Sequence, residues 1–109
     1  MKIFLTGGSG FLGSNFIKLI SKKNEIFEIN RNKNNLNEEI LNRDVKWIEG
    51  NLSDEYNELY DCDILVHFAA YGVSPSLATI KKSMKINVSQ SLKLFEQAAN
   101  KGVEKFIII

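Results

Sequence analysis

The sequence predicts an α/β fold: a doubly wound parallel sheet with helices on both faces. Two observations predict it. Short apolar, β-branched runs alternate with segments of helical period, and strands joined by helical crossovers lie parallel. A glycine-rich turn follows directly on the first of those runs, at the strand end where such sheets bind ligands. Right-handed crossovers then give the expected spatial order 3-2-1-4-5.

Each element follows from its residues. Lys2–Thr6 reads as the first strand and Gly7–Gly13 as a tight turn. From Ser14 to Lys22 the apolar Phe16, Ile17, Leu19 and Ile20 share one helical face. Glu25–Asn30 is the second strand, Asn32–Asn37 a polar loop, and Leu36–Asn42 holds one or two helical turns. Val45–Glu49 is the third strand; Ser53–Tyr60 is a short helix capped by Ser53 or Asp54. Asp63–Phe68 is a fourth strand buried on both faces, and Tyr71–Ile80 a loop carrying the one proline, Pro75. Lys82–Asn100 is the longest helix, with Met84, Val88, Leu92, Phe95 and Ala99 at helical spacing and Lys101-Gly102 ending it. Glu104–Ile109 begins a fifth strand. The chain stops inside the apolar run Phe106-Ile107-Ile108-Ile109, and a bare apolar edge invites aggregation. Residues 1–109 are therefore expected to be one incomplete domain, the front part of a longer protein.

Composition narrows the function. The 109 residues suffice for one hydrophobic core, and 44% hydrophobic with 25% charged residues is an ordinary globular balance. A net charge of +1 gives no field for nucleic acid or an anionic membrane surface. No apolar run approaches the ~20 residues that span a bilayer, and the N-terminus lacks a signal-peptide layout, so a cytoplasmic location is expected. Cys62, the one cysteine, has no partner for a disulfide or a Cys metal site and reads as a small, partly buried side chain.

The turn Thr6-Gly7-Gly8-Ser9-Gly10-Phe11-Leu12-Gly13-Ser14 carries the chemistry. It matches G-x-G-x-x-G at Gly8, Gly10 and Gly13, and G-x-x-G-x-x-G at Gly7, Gly10 and Gly13. Glycines there allow the sharp turn, let backbone approach a pyrophosphate, and let the helix pack close to the strand. The helix N-terminus adds free N–H groups and partial positive charge for the phosphates. The strand before and the helix after give the match its weight; a Walker-type loop is excluded because no Gly-Lys-Ser/Thr follows.

The segment Thr6–Gly13 closely resembles the T-G-x-x-G-[FY]-[IL]-G signature of extended short-chain dehydrogenases. Further segments fall in that family's order. Gly50-Asn51-Leu52-Ser53-Asp54 resembles G-D-[LI]-x-D, and Val66-His67-Phe68-Ala69-Ala70 resembles V-x-H-x-A-A. Asn87-Val88 with Leu92 through Ala99 resembles the N-V-x-G-x-x-N-L-L-E-A-A helix, and Val103–Ile107 the start of the fifth strand. The resemblance spans the whole chain. It implies a Rossmann-like NAD(P)-binding domain from a nucleotide-sugar epimerase, dehydratase or reductase, cut before the rest of the sheet and the substrate domain.

By that resemblance, Gly7, Gly10 and Gly13 shape the pyrophosphate site, and Phe11 and Leu12 offer it backbone N–H groups. Asn51 and Leu52 lie by the adenine, Ala69, Ala70 and Tyr71 run beside ribose and phosphates, and Asn87 ties its helix to the sheet near the cofactor. Two positions depart from the family. Asn51 stands where Asp is usual, offering a different donor and acceptor set. The second strand ends Ile29-Asn30-Arg31 without the acid that binds a free ribose 2′-hydroxyl. An Arg attracts a 2′-phosphate and pairs with it bidentately, which favours NADP over NAD, with Arg31 as reader and Lys33 as helper.

The family's Tyr-x-x-x-Lys pair is not found: four residues after Tyr56, Tyr60 and Tyr71 stand Tyr60, Ile64 and Pro75. No catalytic residue is assigned, and turnover by these residues alone is not expected. His67 reads as a core or cofactor-lining residue, and Ser74 as an ordinary loop serine near the ligand end of the sheet. The resemblance implies a nucleotide-sugar substrate for the parent protein and a homodimer as one form it can take, through the helix at Lys82–Asn100. The alternatives are a non-catalytic dinucleotide-binding regulatory module or an inactive gene fragment.

Overall fold

A computed structural model of the chain describes residues 1–20, 22–30, 45–69 and 85–109. Five strands form one parallel sheet: β1 Lys2–Thr6, β2 Glu25–Asn30, β3 Lys46–Glu49, β4 Ile64–His67 and β5 Lys105–Ile108. Their spatial order is β3-β2-β1-β4-β5, as the alternation of strands and crossovers requires. β1 is central because Ile3, Phe4, Leu5 and Thr6 suit burial on both faces, and all four are buried. In register, Leu5 faces Glu28 of β2 and Val66 of β4, while Thr6 faces His67.

Alternation along each strand sorts the core into two layers. On one face Ile3, Leu5, Ile26, Ile64 and Val66 pack against Ile17 of helix α1, Phe11–Ile20. On the other, Phe4, Ile29 and Leu65 pack with Leu52, Tyr56 and Leu59 and with Leu94 and Ala98 of helix α2, Ser91–Asn100. Burying each of the larger side chains contributes roughly 1.5–3 kcal/mol. The sheet thus holds the turns after β1 and β4 between two packed layers.

Several elements differ from the sequence reading. Helix α1 starts at Phe11 rather than Ser14, so Gly13 lies inside its first turn and is buried. Between β3 and β4 stands a 3₁₀ helix, Asn57–Asp61, instead of an α-helix over 53–60. Neither Ser53 nor Asp54 caps it: its N-cap is Tyr56, and the Asp54 carboxylate is taken by the Asn51 N–H at 2.8 Å. The long helix opens as a π-helical turn, Lys85–Gln90, before α2. Its buried face is Ser91, Leu94 and Ala98, whereas Val88, Leu92 and Ala99 of the expected apolar stripe are exposed. The cause is tertiary. Leu94 and Ala98 form an equally apolar neighbouring stripe, and Ser91 turns inward to a hydrogen bond with His67. The expected Asn32–Asn42 segment, the Tyr71–Ile80 loop and Met84 lie outside the described residues.

Candidate functional site

The turn after β1 is built around one peptide. The Gly7 carbonyl accepts the Gly10 N–H at 3.1 Å, and the Gly10 carbonyl accepts the Ser14 N–H at 2.9 Å, which starts α1. Gly7 has φ +77°, a conformation that favours glycine, and a Cβ there would lie 2.6 Å from the Ala69 nitrogen. A Cβ on Gly13 would lie 2.2 Å from the Gly7 oxygen. These two glycines are demanded by the protein's own backbone. Gly10 is not: it is exposed, and among the described residues a Cβ there would meet only the Gly7 oxygen, at 3.4 Å. Beside it Phe11 is 83% and Leu12 57% exposed, at the helix end whose first N–H groups have no intrahelical partner. An anion seated over Gly10 would meet those donors and the positive end of the helix dipole.

The far wall of the turn is the end of β4. Thr6 Oγ1 accepts the Ala69 N–H at 3.2 Å and lies 2.7 Å from His67 Nδ1. His67 Nε2 lies 3.2 Å from Ser91 Oγ, and the Phe95 ring stands edge-on to the imidazole at a centroid distance of 5.0 Å. Burial holds the His67 pKa below its ordinary 6.5, so the ring is neutral at pH 7 with one donor and one acceptor nitrogen. Both nitrogens have hydroxyl partners, which ties β1, β4 and α2 together and leaves this histidine no free nitrogen for a substrate proton.

The third side is the loop after β3. The Asn51 N–H is held by Asp54, and its carbonyl accepts the Tyr56 hydroxyl, whose pKa burial and the nearby Asp54 and Glu58 push up to about 12. Gln97 of α2 staples this loop from below: it accepts the Tyr56 N–H at 2.6 Å and donates to the Asp54 carbonyl at 2.9 Å. Asn51 is exposed, while the Leu52 side chain is buried in the core beside Phe4 and Ile29. At the end of β2, Asn30 Nδ2 lies 3.4 Å from Ser9 Oγ on the glycine turn.

The structure therefore gathers Gly7, Gly10, Phe11, Leu12, Gly13 and Ala69 at the carboxyl end of the central strands, and places Asn51 and Leu52 after β3. Asn87 lies in the π-helical turn preceding α2. Arg31, Lys33, Ala70, Tyr71 and Ser74 lie outside the described residues. The sequence reading passed over Glu28, Asn30 and Gln97. Glu28 had a signal: in Glu25-Ile26-Phe27-Glu28-Ile29-Asn30, period 2 places it on the face of Ile26, hence inward. Gln97 carries none, since its two partners come from a distant loop. Among the described residues no three His, Cys, Asp or Glu side chains gather as a metal site, and no helix is long and apolar enough to cross a membrane.

Comparison with known proteins agrees with this fold. The model of the NAD dependent epimerase/dehydratase family matches residues 3–109. The chain is 31% identical to a dTDP-D-glucose 4,6-dehydratase of Dictyostelium discoideum over 99% of its own length and 28% of that protein. It is 29% identical to a UDP-glucose 4-epimerase of Streptococcus mutans, covering 99% of the chain and 34% of the relative. Among solved structures, the UDP-glucose 4-epimerase of Thermotoga maritima with UDP-glucose superposes with a TM-score of 0.79 at 30% identity, covering 99% of this chain and 37% of that one. The chain thus spans about a third of the length of these relatives.

Proposed function

The chain belongs to the NAD dependent epimerase/dehydratase family, and from that premise we propose that it forms the dinucleotide-binding part of an enzyme acting on a nucleotide-linked sugar. One observation carries the reading: Gly10 is the glycine of the turn that no contact among the described residues requires. A ligand lying against its Cα accounts for it, beside the free N–H groups of Phe11 and Leu12. In this reading Gly7, Gly10 and Gly13 shape a pyrophosphate seat and Asn51 and Leu52 flank the adenine through backbone and amide. Ala69, Ala70 and Tyr71 line the ribose side, and Asn87 anchors its helix beside them. Residues 1–109 then form part of one dinucleotide-binding domain.

When bound, the dinucleotide supplies a nicotinamide carbon that takes up or returns a hydride; this chain's residues bind and orient it. The cofactor we propose is NADP, read by Arg31, with NAD as the alternative. In support, β2 ends in Asn30 rather than an acid, and its two acids stand elsewhere, Glu25 at the strand's start and Glu28 buried. The substrate we propose is a nucleoside diphosphate sugar, bound mainly by parts of the protein after residue 109. The exposed Val88 and Leu92 beside α2 support a second copy as partner.

The test is to titrate the purified chain with NADPH and NADH. Tighter binding of NADPH, with the preference lost in Arg31→Ala, supports the whole reading. Equal binding overturns the NADP assignment alone, and no binding of either overturns the dinucleotide site.

A further inference from the structure

Glu28 is left unexplained by the glycine pattern. It is fully buried, 0% exposed, on the α1 face of the sheet. Its register partners are Leu5 and Trp47, and Ile17 of α1 borders the same space above Gly8. Oε1 accepts the Gly8 N–H at 2.7 Å. A Cβ on Gly8 would lie 2.7 Å from the carboxyl carbon and 2.8 Å from Oε2, so the acid fills the space that Gly8 leaves. Oε2 has no hydrogen-bond partner among the described residues. The Gly7–Gly8 peptide is therefore pinned at both ends, its carbonyl by Gly10 and its N–H by Glu28.

We propose that Glu28 is a positioning residue for the dinucleotide, an acid seated beneath the glycine turn that fixes the Gly7–Gly8 peptide and, while uncharged, lets the turn receive the pyrophosphate. The proposal rests on the dinucleotide reading above. The groups that the described structure sets around Glu28 are uncharged: Gly8, its register partners Leu5 and Trp47, and Ile17 across the space above Gly8; no described charge moves its pKa. The charged Lys2, Glu25 and Lys46 pair with one another, and strand alternation puts them on the opposite face. A dry carboxyl without a counter-charge keeps its proton, and burial raises its pKa well above 4.5, opposed only by the Gly8 N–H. Once ionised, Glu28 would set a negative charge directly behind a turn that faces two phosphates, where screening is weak. Proton loss and anion binding oppose each other, so affinity falls as pH rises through the Glu28 titration.

The probe is NADH, whose pyrophosphate does not titrate near neutral pH, added to the chain from mildly acidic to alkaline conditions. The native chain is expected to lose about tenfold in affinity as pH rises, the effect of one charge at short range in a partly screened site. Glu28→Gln keeps an oxygen for the Gly8 N–H and should hold the native acidic affinity within about twofold at every pH. Glu28→Leu removes that acceptor and should bind about tenfold more weakly throughout, with thermal melts confirming that it folds. If it does not fold, Glu28→Gln alone decides. Trp47, the one tryptophan, lies across the β2–β3 pair and reports the titration without ligand, because a neutral carboxyl quenches indole more than a carboxylate does. An unchanged pH slope in Glu28→Gln, or native affinity in a folded Glu28→Leu, overturns the proposal while the dinucleotide reading stands. No NADH binding at any pH, with the Trp47 titration present, overturns both.

Discussion

Gly10 and Gly13 answer to different demands, and the difference can be measured. Gly13→Ala puts a methyl 2.2 Å from the Gly7 oxygen, a backbone atom held in a tight turn. It should destabilise the fold by about 1–3 kcal/mol, the usual cost of overpacking, seen as a lower melting temperature. Gly10→Ala finds ordinary contact distance instead, so its stability should stay within about 0.5 kcal/mol while NADH affinity drops about tenfold or more. A Gly10→Ala chain that binds normally would sink the ligand reading of that glycine. Cys62 offers a second test at this scale. Its thiol donates to the Glu58 carbonyl at 3.3 Å, and burial with Asp61 and Asp63 nearby pushes its pKa up to about 12. Alkylation of the native chain near neutral pH should therefore run about a hundredfold or more slower than in denaturant. The sequence already marked Cys62 as a small, partly buried side chain; the neighbours that silence its thiol come from the fold.

At the scale of elements, α2 matters for what it holds at its ends. Its start carries Ser91 to His67, and its penultimate turn carries Gln97 to the loop of Asn51 and Leu52. Gln97→Ala strands the Tyr56 N–H, and each lost hydrogen bond of this kind costs about 1 kcal/mol, more where the partner is buried. We expect a loss of about 1–2 kcal/mol in thermal unfolding and weaker dinucleotide binding through the loosened loop. Unchanged stability would mean that the loop holds itself through Asp54 and Tyr56 alone. The elements also show where pattern reading succeeds. β2 was legible to the residue, since a short, largely apolar and β-branched run, Ile26 to Ile29, stands between the polar flanks Glu25 and Asn30. The burying face of α2 was not, because two adjacent stripes of that helix are apolar and only the packed sheet face, with Phe4, Ile29 and Leu65, chooses between them. The start of α1 was misjudged because a glycine pattern read as a turn also supplies the helix's first residues.

For the whole molecule, two buried groups set opposing pH dependences. Glu28 has a raised pKa in the fold, so its contribution is complete below 4.5 and is lost as pH rises towards its native value. His67 has a lowered one, so its contribution is complete above 6.5 and is lost as pH falls through its native value. Below 6.5, down to the native His67 value, the two slopes oppose. There the native melting temperature should change less with pH than that of Glu28→Gln, which should rise as pH rises towards 6.5. A flat Glu28→Gln profile would mean that His67 carries no proton linkage. By itself, the sequence determined the parallel sheet, its order, the glycine turn and the family resemblance. All of these are written in local periodicity, in glycine's freedom and in the run of motifs along the chain. Only the tertiary structure decided that Glu28 lies beneath the turn, that His67 is held between Thr6 and Ser91, and that Gly10 alone among the turn's glycines meets no constraint from the described residues. Those facts depend on neighbours 20 and 61 residues away in the chain, and no local pattern encodes which side chain a buried polar group will meet once the strands align.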